Sequence, residues 1–321
     1  MARSGPRSLR DRMRIPSLRT TLVFSAALLA WAPSIAWAEW QSDATSIAWL
    51  DGTRVVWKFS FDPKAGKPFF HPLSVAGGPA LTMARPDDHP WHYGLWFSWK
   101  YINGVNYWEE SRETGRPEGA TTWKVAALEE RSDGSATIRL DVSYTHPSGR
   151  VDMVENRVLK VSAPTTDRAY SIDWHSHFRA GSEGALLDRT PMPGEPDGKV
   201  NGGYAGLGLR LAPEPLAVSF VSSAGLIAPF VDDRARPAAA AVAANLIDGG
   251  KEVGGIAIFS DPANSGADAP WYLVNAPQNH MRFVCAAVLA PKPIKLAPDA
   301  EMQLNYRIVV RRAAWTATDL H

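Results

Sequence analysis

Apolar and polar residues alternate with a period of two along most of this chain, and a helical period of 3.6 is almost absent. Pleated strands with one buried face satisfy such a pattern. In SATIRLDVSYT (135–145), Ala136, Ile138, Leu140, Val142 and Tyr144 share one face, and Thr137, Arg139, Asp141 and Ser143 share the other. The segment 301–310 repeats this with Met302, Leu304, Tyr306, Ile308 and Val310. Further strands are predicted at 54–61, 94–99, 121–129, 151–161, 168–178, 204–211, 217–221, 254–260, 271–275 and 282–289. Turn-forming residues cluster between them, as in HPSGR, SAPTTD, PMPGEPDG and DPANSGAD. Many short strands divided by turns predict an all-β chain of antiparallel sheets packed as a sandwich or barrel. The Ala-rich run 235–244 is open to a helical turn, against which stand Pro237 and weak amphipathicity. With no repeat and no linker, residues 39–321 read as one domain.

Residues 1–38 read differently. Arg3, Arg7, Arg10, Arg12, Arg14 and Arg19 face one acid, Asp11, and the apolar run LVFSAALLAWA (22–32) leads to Ala36-Trp37-Ala38. A basic segment, a short apolar core and a small-x-small site in that order predict a cleaved secretory signal and a mature chain beginning near Glu39. The expected location is the periplasm or the cell exterior. The run is well short of the ~20 residues of a membrane-spanning helix, and nothing after residue 38 is long enough to span. The formal net charge of +1 becomes −4 without the leader, which leaves 28 Lys and Arg against 32 Asp and Glu. No basic block survives, so nucleic acid and anionic lipid are poor partners. The one cysteine, Cys285, lies in the apolar stretch FVCAAVLA and reads as a buried thiol.

The long irregular stretches 62–93 and 100–120 flank the densest aromatic cluster. In DDHPWHYGLWFSWKYINGVNYWEE (87–110) stand Trp91, Trp96, Trp99, Trp108, Tyr93, Tyr101 and Tyr107, with His89, His92, Asp87, Asp88, Asn103, Asn106, Glu109 and Glu110 among them. Flat aromatic faces beside polar groups suit a sugar, whose C–H faces stack while its hydroxyls hydrogen-bond. In GLWFSW, either Trp96 or the Leu95/Phe97/Trp99 face must point inward, so some of these rings belong to the core. A second constellation is RAYSIDWHSHF (168–178), where Asp173, His175 and His177 share one polar strand face. It reads as a His acid/base oriented by a carboxylate, as a pair of metal ligands, or as a solvated outer face. His71, extended before Pro72, and Tyr204, opening a strand after glycines, are further candidates. No G-x-S-x-G, Walker, C-x-x-C or zinc-protease motif is present, and the glycines of NGGYAGLGLR lack the βαβ setting of a dinucleotide site.

Seven segments carry a resemblance. They are the HPL of PFFHPL, DHPWHYGLWFSW, NGVNYWEE, GGYAGLGLR, GIAIFSDPAN, APWYLV and NYRIVV, in order over most of residues 50–310. The chain resembles exported bacterial proteins of the PmoA family, labelled "methane oxygenase PmoA". That family's motif commonly reads D-H-P-H-H-R-G-L-W; here Trp91 replaces a His and Tyr93 the Arg, while His89 and His92 carry over. The resemblance implies a galactose-mutarotase-like antiparallel β-supersandwich, a fold whose relatives handle sugars on a concave sheet face with His and acidic residues. The expected function is therefore that of a carbohydrate-active protein acting on a glycoside or modified sugar. The candidate catalytic groups are His89, His92, Glu109, Glu110, His175 and His177, and the candidate sugar contacts are His71, Trp91, Trp99, Asn106, Trp108 and Tyr204. One of Glu109 and Glu110 is expected to be kept protonated by Trp108, and the two histidine groups are expected in one concavity. No cofactor is expected. The alternatives are a non-catalytic sugar-binding protein and, as the label states, a metal-dependent oxygenase using a divalent ion.

Overall fold

Strand Tyr170–Ala180 shows how the alternation becomes architecture: Ile172, Trp174 and Phe178 are wholly buried, while Asp173, His175 and His177 on the other face are partly exposed. In the computed structural model, Met1 and residues 38–213, 215–227 and 230–321 are described. The predicted leader lies almost entirely outside the described residues.

Two nine-stranded sheets form the domain. The first runs, edge to edge, Ala38–Ser42, Ser46–Asp51, Arg54–Ser60, Phe69–Leu73, Leu95–Ser98, Gly206–Arg210, Met281–Cys285, Tyr272–Ala276 and Arg234–Ala235. The second runs Gly225–Leu226, Ala217–Ser222, Ala241–Asp248, Lys251–Ser260, Glu301–Arg311, Tyr170–Ala180, Val151–Val161, Ala136–Thr145 and Ala120–Glu130. A small sheet of four short strands joins Ile294–Leu296, Ala185–Asp188, Tyr101–Ile102 and Val105–Asn106. Every strand pairing is antiparallel. The expected all-β supersandwich is what the chain forms. Among the described residues the helical elements are two single 3-10 turns, Pro277–Asn279 and Thr318–Leu320, and no helix is long and apolar enough to cross a membrane. The Ala-rich run 235–244 forms no helix: residues 236–240 are irregular, and its end enters strand Ala241–Asp248, which pairs on both edges.

The facing sides of the two sheets make the main core. Phe97 and Trp99 of the first sheet meet Phe178 of the second at ring separations of 5.4 and 5.3 Å, and Phe70 meets Trp174 at 6.4 Å. A buried ion pair sits in this core. Arg157 grips Glu155 with two nitrogens (2.7 and 2.8 Å) and lies over the Trp174 ring, while Tyr144 and Ser176 hydroxyls donate to the same carboxylate, each at 2.6 Å. In GLWFSW both faces turn out to be buried. Leu95, Phe97 and Trp99 enter the inter-sheet core, while Trp96 joins Tyr93, Trp108, Tyr272 and Phe283 in a separate apolar cluster. By strand alternation that cluster lies on the first sheet's outer face, where the loops around 84–93, 99–110 and 190–204 gather.

Candidate active site

A cavity of about 540 Å³ opens over the outer apolar cluster. Its bed is made by strand alternation in Gly206–Arg210: Leu207 and Leu209 enter the core, so Gly206, Gly208 and Arg210 face the cavity side. A Cβ at Gly208 would stand 3.0 Å from Trp96, so glycine lets that ring lie down on the sheet. Asp88, His89, Trp91 and His92 form one wall, and Trp108, Glu109 and Tyr204 another. Arg234, Tyr272 and Phe283 help close the remainder.

Arg210, fully buried, organises the first wall. Its Nη2 donates to both oxygens of Asp88 (3.1 and 2.9 Å) and to the His280 carbonyl (3.1 Å). Its Nη1 lies 3.2 Å from His92 Nδ1. A guanidinium only donates, so His92 Nδ1 accepts and the neutral ring carries its proton on Nε2. Asp88 in turn holds His89 Nδ1 at 2.7 Å. Partial burial alone would raise the Asp88 pKa, but bonds from His89 and Arg210 outweigh it and hold the carboxyl below its ordinary range. With Asp88 ionised, His89 Nδ1 is the donor, and Nε2 is the nitrogen left for a ligand. The His89 ring stacks on His92 (4.8 Å), which stacks on Phe283 (4.9 Å).

Glu109 is the carboxylate of the facing wall. Lys100 binds its Oε2, the Asn106 side-chain amide donates to the same oxygen at 2.8 Å, and the Tyr204 hydroxyl donates to Oε1. Burial pushes its pKa up, but Lys100 and these hydrogen bonds pull harder and leave it lowered. Glu109 is therefore not the protonated carboxyl expected beside Trp108, because a cation and neutral donors surround it. Asn106 also caps the turn, its Oδ1 accepting from the Trp108 and Glu109 amides (2.8 and 3.2 Å).

Six of the twelve anticipated residues line this cavity: His89, His92, Trp91, Trp108, Glu109 and Tyr204. Asn106 stands behind Glu109. Glu110 is not among the cavity's lining residues and lies in a buried cluster with Lys67, Arg85 and Tyr93, past the bend that Asn106 caps. Trp99 is fully buried in the inter-sheet core and stacks on no ligand. His71 lies in strand Phe69–Leu73, 3.0 Å from the Thr82 hydroxyl, and is not in the wall. His175 and His177 do not join His89 and His92 in one concavity. Their strand's other face enters the inter-sheet core, so they lie on the outer side of the second sheet, where His175 meets Asn305 (3.0 Å) and His177 meets Glu301 (3.2 Å). Sequence reasoning missed Arg210, Lys100, Arg234, Tyr272 and Phe283.

Burial, with the charges of His89, Arg210 and Lys67 adding to it, pushes the His92 pKa well below its ordinary 6.5. The folded state thus holds a neutral imidazole where the unfolded chain takes up a proton below that pH, so stability falls as pH drops through it. The expected slope is about 1.4 kcal/mol per pH unit once the pH is below 6.5 and above the folded value. Urea unfolding between pH 5 and 8 should show it, and His92→Gln, which can still accept from Arg210, should flatten it; an unchanged slope would contradict a neutral His92.

The fold and site define an antiparallel β-supersandwich with a His- and carboxylate-bearing cavity on one outer sheet face. The chain belongs to the family of unknown function DUF6807, which matches residues 47–321. No curated protein is similar to it. Among solved structures, the α-galactosidase from Lactobacillus brevis shares 10% identity at a TM-score of 0.45, over 88% of this chain and 40% of that one. A GH36 α-galactosidase from Geobacillus stearothermophilus shares 9% at a TM-score of 0.47, over 86% and 41%. A provisionally titled aldose 1-epimerase from Klebsiella pneumoniae shares 8% at a TM-score of 0.44, over 86% and 80%. The chain thus spans about two fifths of the length of the two galactosidases.

Proposed function

We propose that this chain is a carbohydrate-active protein, exported to the periplasm or cell exterior, whose cavity holds a sugar ring for His/carboxylate acid–base chemistry on a glycoside or modified sugar. The observation that carries the reading is the presence of two differently poised groups in the lining of one aromatic-floored cavity. His89 is oriented by an ionised Asp88 and keeps Nε2 for a ligand. Glu109 is held as a carboxylate by Lys100 and Tyr204. Separated environments of this kind allow one group to move a proton while the other stays ionised and orients hydroxyls or steadies positive charge. The cavity volume of about 540 Å³ lies within the roughly 300–1,000 Å³ of small-molecule sites. The family resemblance read from the sequence points the same way.

Trp91 is the natural stacking face, since it is half-buried at the cavity wall, whereas Trp108 is 1% exposed and offers a ligand little of its ring. Trp91→Ala is expected to weaken sugar binding by about 1–3 kcal/mol, the size of an aromatic contact with its buried area, with the melting temperature nearly unchanged. Calorimetric titration with a panel of glycosides would measure it; undiminished affinity would remove Trp91 from the site. The metal-dependent oxygenase named by the resembled family's label finds less support in the donor set. Among the described residues no three His, Cys, Asp or Glu side chains are placed to hold an ion, and the Nδ1 atoms of His89 and His92 are taken by Asp88 and Arg210.

A further inference from the structure

Among the described residues, the carboxylates in and directly behind the cavity walls each pair with a cation, Asp88 with Arg210, Glu109 with Lys100, and Glu110 with Lys67 and Arg85. Arg234, which lines the cavity, has no such pairing among the described residues. Its Nε donates to the Tyr272 hydroxyl (3.1 Å) and its Nη1 to the backbone carbonyl of Asp232 (2.5 Å), both neutral acceptors.

Arg234 also stands at a junction. It lines the main cavity and a neighbouring one of about 680 Å³. Arg236, two residues further on, lines that second cavity, lies 4.5 Å from the Tyr272 ring centre, and donates to the Val200 and Gly202 carbonyls (3.2 and 2.6 Å). Among the described residues it too has only neutral partners, and the one acid lining the second cavity, Asp232, offers Arg234 its carbonyl and forms no ion pair with it. Two guanidiniums held by neutral groups where two cavities meet make a receptor for an anion, because a planar fork with unspent donors matches a carboxylate.

We propose that the sugar taken by this cavity is an acidic one, a uronic acid or its glycoside, whose carboxylate is received by Arg234 at the junction of the two cavities. The inference rests on the sugar reading of the cavity and adds the substrate class to it. Calorimetric titration of the full chain with galacturonate and glucuronate, and with the neutral hexoses galactose and glucose, tests it. A uronate is expected to bind at least about tenfold tighter than its parent hexose, the size of one charge-assisted contact. Arg234→Gln should bring the ratio of uronate to hexose affinity to about one, and Arg234→Lys should keep part of the preference because the charge remains. Equal affinities, or a uronate preference that survives Arg234→Gln, would overturn the inference and leave the sugar reading standing. Acetate displacing the uronate at equal concentration would reduce Arg234 to a general anion contact and overturn it as well. If neither uronate nor hexose binds the unaltered protein, the sugar reading itself fails, and the inference with it.

Discussion

His89→Ala should lower turnover of the cognate glycoside about 10²–10⁴-fold, the contribution of a positioned general acid or base, while sugar affinity changes little. The expectation follows from the order of contacts. Arg210 fixes Asp88, Asp88 fixes the His89 tautomer, and Nε2 is the nitrogen left for the ligand. Asp88→Asn should reproduce much of the loss, because an amide in that place no longer favours a donating Nδ1 and steadies imidazolium poorly. Separate measurement of kcat and of binding distinguishes the readings. Loss of kcat with binding retained identifies an enzyme. Near-native turnover in His89→Ala would remove the acid/base role, and a protein that binds sugar but turns over no glycoside would be the non-catalytic binder.

The second large effect is on stability and lies far from the cavity. Glu155→Gln should cost about 3–5 kcal/mol, because it leaves the Arg157 charge uncompensated in the inter-sheet core. Both side chains of the pair are at most 1% exposed. Glutamine keeps one acceptor oxygen, enough for only one of the Tyr144 hydroxyl (now on Oε2) and the Ser176 hydroxyl (now on Oε1), so the loss combines the orphaned cation with a displaced hydrogen bond. Adding Arg157→Met should recover most of the loss, since an apolar chain of similar reach can lie between Trp174 and Phe97, where the guanidinium now sits. Urea midpoints of the two single variants and the double variant give the coupling directly. Additive losses would contradict a pair that acts as one unit.

Alternation made most of the sandwich legible. Segments such as 136–145, 151–161 and 301–311 were readable because one of their faces is core and the other solvent. Ser46–Asp51 and Ala241–Asp248 were harder, since most of their residues are buried in succession and the period vanishes. The same blindness hid Arg210. GLGLR reads as an apolar strand, yet its leucines mark one face as core and leave Arg210 on the other beside two glycines, a combination that signals a guanidinium held under a cavity. The aromatic cluster points to Trp91, Trp108, His89 and His92, and these four line one cavity. Composition could not sort the cluster into wall and core, and so Trp99 and Glu110 were drawn in with their neighbours. The polar face of Asp173, His175 and His177 lies on the other sheet from His89 and His92, so the two histidine groups do not share one concavity. Which face of which sheet a strand presents is decided by long-range pairing, here with Glu301–Arg311 and Val151–Val161, and no local pattern carries it.

That second polar face supplies the sharpest alternative location for a ligand. Asp173, His175, Asn305 and Arg307 line a separate cavity of about 510 Å³ on the outer side of the second sheet. A crystal structure of the protein soaked with a bound glycoside tests the central claim most directly. The sugar ring is expected against Trp91, with hydroxyls reaching His89 Nε2 and the Glu109 carboxylate. A sugar bound instead beside His175 and Asn305, with the His89 cavity empty, would contradict the account.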